Sequence, residues 1–177
     1  MLGEVRHVVA QAQVLLLVLV RSGLAGHFEL AIRTVGGEGA ASLDGQHVNV
    51  HELSEYRGQY LMVNFWAVWC KPCRREMPAM NKLNEALEEA DFEIVGIHVG
   101  PAEPGIDRFL AEVPVDFTIL VDEDITLSDW DVLGLPTNLL IDPDGRLIYK
   151  AVGERQWDAP EMLDFLKSMM TRTAEGS

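Results

Sequence analysis

The stretch FWAVWCKPCRREMP, residues 65–78, contains the most informative pattern in this chain. The dense apolar run Tyr60–Trp66 ends inside it and predicts a central strand buried on both faces. A helix is predicted from about Cys70 to Glu89, because apolar residues recur there at spacings of three and four. Cys70 and Cys73 therefore stand three residues apart, where a buried strand meets a helix.

The spacing and placement of these two cysteines, the only ones in the chain, indicate redox chemistry. Thiols at positions i and i+3 of a helix start can close a small disulfide ring with little backbone movement. Cys70 is predicted to lie at the helix N-terminus, where unpaired N–H groups favour a thiolate, and Lys71 adds positive charge nearby. Because the thiolate is the nucleophile in disulfide exchange, Cys70 is predicted to attack and Cys73 to resolve the mixed disulfide. A C-x-x-C motif in an α/β pattern is strong evidence for this use.

Two other uses of the cysteines are weaker. A zinc site needs about four ligands, and two thiols with five scattered histidines do not have that spacing, so no metal site is predicted. A purely structural disulfide is disfavoured because closing so short a loop adds little stability. His98, on the apolar run Phe92–Val99, is predicted to be a core or strand-end residue.

The remaining chain alternates between strand and helix signals. Its 177 residues, 48% of them hydrophobic and 24% charged, fit one globular domain. Residues 26–58 are Gly-rich and are predicted to be irregular apart from a short strand at 46–50. Further strands are predicted at Phe92–Val99, Phe117–Val121, Asn138–Ile141 and Leu147–Val152, with helical segments at Ile106–Val113, at Asp122–Trp130 and after an N-cap at Asp158. The resulting order, β-α-β-α-β-β-α, predicts an α/β domain.

The chain is acidic, with 14 Lys and Arg residues against 28 Asp and Glu residues and a net charge of −14. An acidic surface repels phosphate backbones, so no nucleic-acid partner is expected. The acidic runs at 88–89 and 122–124 are interpreted as solvated surface.

The N-terminal segment predicts export. Val8–Val20 is almost wholly apolar, which is too short for a span of roughly 20 residues but suits the core of a signal peptide. Arg6 precedes this run, and Gly23 and Ala25 supply small residues at −3 and −1 of a cleavage site. Residues 1–25 are therefore predicted to be a signal peptide or membrane anchor, and residues 26–177 the folded domain. The alternative is an amphipathic or mis-assigned start that packs on the domain, and a mis-assigned start would imply a cytoplasmic protein.

Three motifs resemble one protein family. Phe65–Cys73 resembles the active site of thioredoxin-fold proteins, and Arg74–Pro78 extends the match to the TlpA-like/ResA-like branch of exported bacterial thiol–disulfide oxidoreductases. Leu133–Thr137 resembles the cis-proline loop of that branch, and Leu140–Gly145 its following hairpin. The resemblance covers about residues 43–170. It implies a thioredoxin-like α/β fold, a central mixed sheet with helices on both faces.

The resemblance also assigns roles to individual residues. Cys70 and Cys73 correspond to the redox-active disulfide, and Pro136 corresponds to a cis-proline that faces it. The Leu135 backbone corresponds to a segment that pairs with an extended substrate. Trp69 is expected to shape an apolar substrate-facing surface. The remaining residues expected to bind substrate with these are Lys71, Pro72 and Thr137.

Glu76 is the third candidate catalytic residue. Thioredoxins have a buried Asp where this chain has Asn64, so that proton acceptor is missing. Glu76 corresponds to a glutamate that ResA-like proteins place close to the cysteines, where a carboxylate could accept the proton of Cys73. Its spacing alone instead favours a solvated helix face.

The function implied is dithiol–disulfide exchange with protein substrates, without an organic cofactor. The family suggests a reductant in the periplasm or cell envelope, kept reduced by a membrane electron donor, with cytochrome c maturation as its best-known task. Pro72 is typical of reducing thioredoxins, whereas Lys71 stabilises the thiolate and favours oxidising behaviour.

Two alternative functions are weighed against this one. A thiol peroxidase would need a P-x-x-x-T-x-x-C pattern, which does not surround Cys70. A copper metallochaperone could use Cys70, Cys73 and His98, but copper-carrying relatives usually have the spacing C-x-x-x-C.

Overall fold

The computed structural model describes residues 31–35, 48–101, 105–122 and 127–175. Within these ranges the strands and α-helices follow one another in the order β1 (Ala31–Val35), β2 (Val48–Glu52), β3 (Tyr60–Trp66), α1 (Lys71–Leu87), β4 (Phe92–Val99), α2 (Ile106–Glu112), β5 (Thr118–Asp122), β6 (Thr137–Ile141), β7 (Leu147–Val152) and α3 (Pro160–Glu175). Short 3₁₀ helices lie at Leu53–Tyr56, Glu88–Ala90 and Leu127–Trp130.

One mixed sheet contains all of these strands, in the order β2-β1-β5-β4-β3-β6-β7. Strands β3, β4 and β5 run parallel to one another, and the other pairings are antiparallel. Parallel neighbours need long crossovers, which α1 and α2 provide. The carboxyl end of β3 therefore lies inside the sheet, flanked by β4 and β6.

The alternation of side chains along β3 explains its unbroken apolar sequence. Tyr60 and Met62 point to a cluster shared with α1 and α3, and Trp66 to a cluster shared with α1 and α2. Leu61 and Phe65 point to the opposite cluster, which is closed by the 3₁₀ helix Leu127–Trp130. The predicted mixed sheet with helices on both faces is confirmed, with the α-helices on one side and the 3₁₀ helices Leu53–Tyr56 and Leu127–Trp130 on the other.

The structure corrects the prediction for residues 26–58. The predicted strand at 46–50 corresponds to β2, but Ala31–Val35, predicted to be irregular, forms β1. This strand pairs with β2 along its length and with β5 through Arg33 and Val121. The Gly-rich sequence around this strand predicts irregular structure, and the strand depends on pairing with residues elsewhere in the chain. The predicted signal segment, residues 1–25, lies outside the described residues.

The start of the last helix also differs from the prediction. Helix α3 begins at Pro160, and a proline suits a first helical position because no partner is needed for its missing N–H. The Ala159 carbonyl accepts the N–H groups of Met162 and Leu163, so Ala159 and not Asp158 stands at the N-cap position. Asp158 instead pairs with Lys82 of α1 at 2.7 Å. Among the residues placed by the structure, no helix is long and apolar enough to cross a bilayer.

Candidate active site

The two cysteines lie between the end of β3 and the first turn of α1. They form a disulfide with Cα atoms 5.3 Å apart. Cys70 is the N-cap of α1, and its Sγ accepts a hydrogen bond from the Cys73 backbone N–H at 3.3 Å. Pro72 occupies the first turn, where its missing N–H costs no helical hydrogen bond. The predicted strand-to-helix placement of the C-x-x-C motif is confirmed.

The geometry distinguishes the two sulfur atoms. Cys70 Sγ faces the N-terminus of α1, where the backbone N–H groups and the helix dipole favour negative charge. Both cysteines are buried, Cys70 with 4% of the residue exposed and Cys73 with none, and Lys71 next to Cys70 is exposed. When the disulfide is reduced, Cys70 is therefore the thiol better placed to ionise and Cys73 the more shielded one.

Glu76 is buried on α1, three residues after Cys73, and only 1% of the residue is exposed. Its Oε1 accepts hydrogen bonds from Asn64 Nδ2 at 3.0 Å and Asn138 Nδ2 at 3.3 Å. Its Oε2 accepts from Trp157 Nε1 and from the Arg155 backbone N–H, each at 3.3 Å. The interpretation of Glu76 as a solvated helix-face residue is therefore wrong.

Two opposing effects act on the pKa of Glu76. Burial raises the pKa because the charged form is poorly solvated, and the four hydrogen bonds lower it because they favour the carboxylate. Burial is the larger effect, so the pKa lies above its ordinary value. Since no charged side chain donates any of these hydrogen bonds, the carboxyl group can exchange a proton without breaking an ion pair. This property suits an acceptor of the Cys73 proton.

Asn138 and Trp157 were missed as site residues by the sequence analysis. Asn138 lies opposite Asn64 in the antiparallel pairing of β3 with β6, and its Oδ1 accepts a hydrogen bond from Asn64 Nδ2 at 2.8 Å. Trp157 is fully buried and also donates to Glu76. No local pattern reveals these contacts, because they depend on strand register and on a turn about 80 residues away from Glu76.

The loop before β6 packs against the apolar cluster that includes the disulfide. The Leu135–Pro136 peptide bond is cis, and the Leu135 side chain packs against the cluster that contains Cys70 and Cys73. Thr137 is fully buried, and its hydroxyl donates to the Gly134 carbonyl at 2.7 Å, which ties the loop to the start of β6. The structure thus places Leu135 on the apolar cluster that includes the cysteines, and the Thr137 hydroxyl bonds within the loop.

Large apolar side chains are exposed close to these elements in the chain. Trp69, directly before Cys70, is 71% exposed, and Leu133, two residues before Leu135, is 91% exposed. Isolated exposed hydrophobic residues are common on protein surfaces, but here both belong to the segments that carry the site. The exposure of Trp69 is consistent with its predicted place on a substrate-facing surface.

His98 lies at the end of β4 and is almost completely buried, as predicted for a core or strand-end residue. Its Nε2 accepts a hydrogen bond from the Val68 backbone N–H at 3.2 Å, and its Nδ1 lies 3.3 Å from the Gly100 carbonyl oxygen. Burial lowers the pKa of its imidazole. Both ring nitrogens are thus engaged by the backbone, which does not favour its use as a copper ligand. Within the described ranges, no group of three or more His, Cys, Asp or Glu residues is arranged to hold a metal ion.

A C-x-x-C disulfide at the end of a central parallel strand, beside a cis-proline loop, defines a thioredoxin-fold protein with a dithiol site. The model of the AhpC/TSA family matches residues 37–150, which include Cys70, Cys73, Glu76 and Pro136. The chain therefore belongs to the AhpC/TSA family.

Named relatives agree with the resemblance found in the sequence. The chain is 40% identical to the thiol-disulfide oxidoreductase ResA of Geobacillus kaustophilus over 55% of this chain and 56% of that protein. It is 31% identical to the ResA protein of Bacillus thuringiensis over 72% of this chain and 71% of that protein. The alignments with the first relatives thus span little more than half of their length.

A solved structure confirms the thioredoxin-like fold. The crystal structure of a candidate thiol:disulfide interchange protein DsbE from Chlorobium tepidum superposes with a TM-score of 0.63 and 28% sequence identity. The superposition covers 81% of this chain and 92% of that one. The predicted family and fold class are confirmed.

Proposed function

We propose that this chain is a thiol–disulfide oxidoreductase that exchanges the Cys70–Cys73 dithiol with cysteines of protein substrates. The observation that carries the proposal is the disulfide closed at the N-terminus of α1, with Cys70 Sγ accepting the Cys73 N–H. The names of its relatives and the absence of a P-x-x-x-T-x-x-C pattern around Cys70 favour this activity over a thiol peroxidase.

In the reducing direction, the thiolate of Cys70 attacks one sulfur of a substrate disulfide. A bond forms between Cys70 Sγ and that sulfur, and the other substrate sulfur leaves as a thiolate. Cys73 then loses its proton to Glu76 and attacks Cys70 Sγ, which releases the second substrate sulfur and closes the Cys70–Cys73 disulfide. Two electrons pass from the protein dithiol to the substrate, and the oxidising direction is the reverse of these steps.

The proposal includes a direction and a location. Pro72 and the family resemblance support a reductant, and the apolar run Val8–Val20 with Gly23 and Ala25 supports action in the periplasm or cell envelope. An oxidising compartment would reoxidise the dithiol, so a membrane electron donor would have to restore it. Reduction of apocytochrome c cysteines is one task of this chemical type. A fusion of residues 1–30 to a reporter tests export, and a wholly cytoplasmic reporter would contradict it.

The activity is tested by trapping the mixed disulfide. Cys73→Ser removes the resolving thiol, so a disulfide-bonded peptide should remain attached to Cys70. The matched control, Cys70→Ser, should trap much less. Both species are quantified by mass spectrometry of the intact protein with and without reductant. Equal trapping by the two variants would contradict the roles of the cysteines, and no trapping by either would contradict the activity.

Tight copper binding by the reduced wild type that requires His98 would instead support a metallochaperone.

A further inference from the structure

His98 has no assigned role in the exchange reaction, yet it bonds to the segment that presents the nucleophile. The thiol turn, residues 67–70, connects β3 to α1, and the Cys70 backbone N–H closes it by bonding to the Ala67 carbonyl at 2.9 Å. The Val68 N–H, in the middle of this turn, donates to His98 Nε2 at 3.2 Å. The imidazole therefore supplies a direct side-chain contact between the end of β4 and the thiol turn.

The geometry determines which tautomer makes this contact. The Val68 N–H is only a donor, so Nε2 must be the acceptor and carry no proton. The Gly100 carbonyl is only an acceptor, so the proton of the neutral ring belongs on Nδ1, 3.3 Å away. A protonated ring would turn Nε2 into a donor facing the Val68 N–H, and this hydrogen bond would be lost.

The surroundings of the ring hold it in place. His98 is in register with Trp66 on β3 and Val121 on β5, and the Trp66 ring meets it edge-on at a centroid distance of 4.9 Å. On the other side of the turn, the Val68 side chain packs against Gly105, where an added Cβ would lie 3.3 Å from it. The turn is thus held through its backbone by His98 and through its Val68 side chain by the start of α2.

Charged groups of the packed elements lie elsewhere. On β5, Asp122 follows Val121, so strand alternation directs it to the opposite face of the sheet. On α1, Lys71 is exposed, and Arg74 lies over the Phe109 ring and pairs with Glu112. Among the described residues, the ring therefore bonds only to backbone groups, and burial lowers its pKa.

We propose that His98 is a positioning residue for the dithiol, whose neutral imidazole holds the thiol turn in the geometry that presents Cys70. The inference rests on the proposed exchange activity. It adds that acid releases the turn, because protonation removes the acceptor of the Val68 N–H. His98 does not touch the sulfur atoms in this role and acts through the backbone.

Two substitutions separate positioning from packing. His98→Gln keeps an acceptor oxygen at about the reach of Nε2 and cannot be protonated, whereas His98→Leu keeps apolar volume and has no acceptor. Val113→Ala, in the apolar cluster that contains Trp66, controls for general destabilisation. Exchange of the Val68 amide hydrogen is followed by NMR in the oxidised full chain between pH 5 and 8. Attack of Cys70 on a disulfide peptide is timed in the reduced chain.

In the wild type, we expect the Val68 amide to be protected from hydrogen exchange at neutral pH and to lose this protection as the imidazole is protonated. His98→Gln should protect it throughout, and His98→Leu should lose about threefold to tenfold in both protection and attack rate at neutral pH, the equivalent of one hydrogen bond. Equal Val68 exchange in wild type and His98→Leu, or a His98→Gln variant as impaired as His98→Leu, would overturn the proposal. If His98→Leu does not fold, the pH dependence of wild type against His98→Gln decides. A wild type that fails to react with the peptide refutes the exchange activity, while Val68 exchange still tests whether His98 holds the turn.

Discussion

Glu76 and His98 are two buried ionisable residues near the same disulfide, and they differ in what holds them. Burial shifts both toward the neutral form, raising the pKa of Glu76 and lowering that of His98. Glu76 is bonded mainly by side chains, whereas the hydrogen bonds of His98 are with backbone groups of Val68 and Gly100. Side-chain donors that favour the charged form make Glu76 suited to exchanging a proton. Backbone bonds that need the neutral ring make His98 suited to holding a loop.

The largest expected effect comes from removing the carboxyl group of Glu76. Glu76→Gln should slow resolution of the mixed disulfide by about 10²–10⁴-fold if the carboxylate is the general base, while the initial attack by Cys70 changes little. Rapid-quench analysis with a disulfide peptide across pH measures both steps. Glu85→Gln, on the exposed face of α1, is the matched control. Unchanged resolution together with an unchanged titration of Cys73 would exclude a proton-transfer role.

Weakening the cluster around Glu76 should cost stability. Asn138→Ala removes one donor to Glu76 and the acceptor of Asn64 Nδ2, so buried polar groups lose partners. We expect the free energy of unfolding to fall by about 1–3 kcal/mol, measured by urea denaturation. Asn84→Ala, a half-buried asparagine on α1, serves as the control. A loss no larger than that of the control would show that the cluster contributes little.

The two thiols of the reduced protein should differ in reactivity. Cys70 faces the helix N-terminus beside Lys71 and Cys73 is fully buried, so we expect Cys70 to alkylate faster near neutral pH. A difference of about tenfold corresponds to one pKa unit between the thiols. Peptide mass spectrometry after brief treatment with iodoacetamide measures the ratio. Equal labelling, or faster labelling of Cys73, would contradict the assigned roles.

The smallest expected effect compares the two residues through the pH dependence of stability. The pKa of Glu76 is raised above 4.5 in the folded state. The contribution of this residue to the free energy of unfolding is therefore full below pH 4.5 and is lost as pH rises through the folded pKa. The pKa of His98 is lowered below 6.5 in the folded state. The contribution of this residue to the free energy of unfolding is therefore full above pH 6.5 and is lost as pH falls through the folded pKa.

Subtracting the unfolding free energies of Glu76→Gln and of His98→Gln from that of the wild type should therefore give curves of opposite slope. For a single group neither slope can exceed about 1.4 kcal/mol per pH unit. Urea denaturation at a series of pH values measures both curves. Two slopes of the same sign would mean that the pKa of at least one of the two residues shifts in the other direction.

Elements with local signals can be predicted from the amino-acid sequence. The apolar run of β3, the helix α1 and the C-x-x-C motif between them are all visible within 30 residues, because strand burial and helix periodicity are written in neighbouring residues. The same local pattern predicts that Cys70 attacks and Cys73 resolves, and the family resemblance pointed to Glu76.

The surroundings of these residues depend on the folded chain. Strand β1 was missed because its partners lie elsewhere in the chain. The sequence allowed two interpretations of Glu76, a solvated helix residue or an active-site residue. In the fold, the β3–β6 register places Asn138 next to Glu76, and the turn before α3 places Trp157 there. The contact of His98 with the thiol turn depends on the pairing of β3 with β4. Each of these is a long-range contact, and its physical cause is the registration of strands in the sheet, which spacing along the chain does not encode.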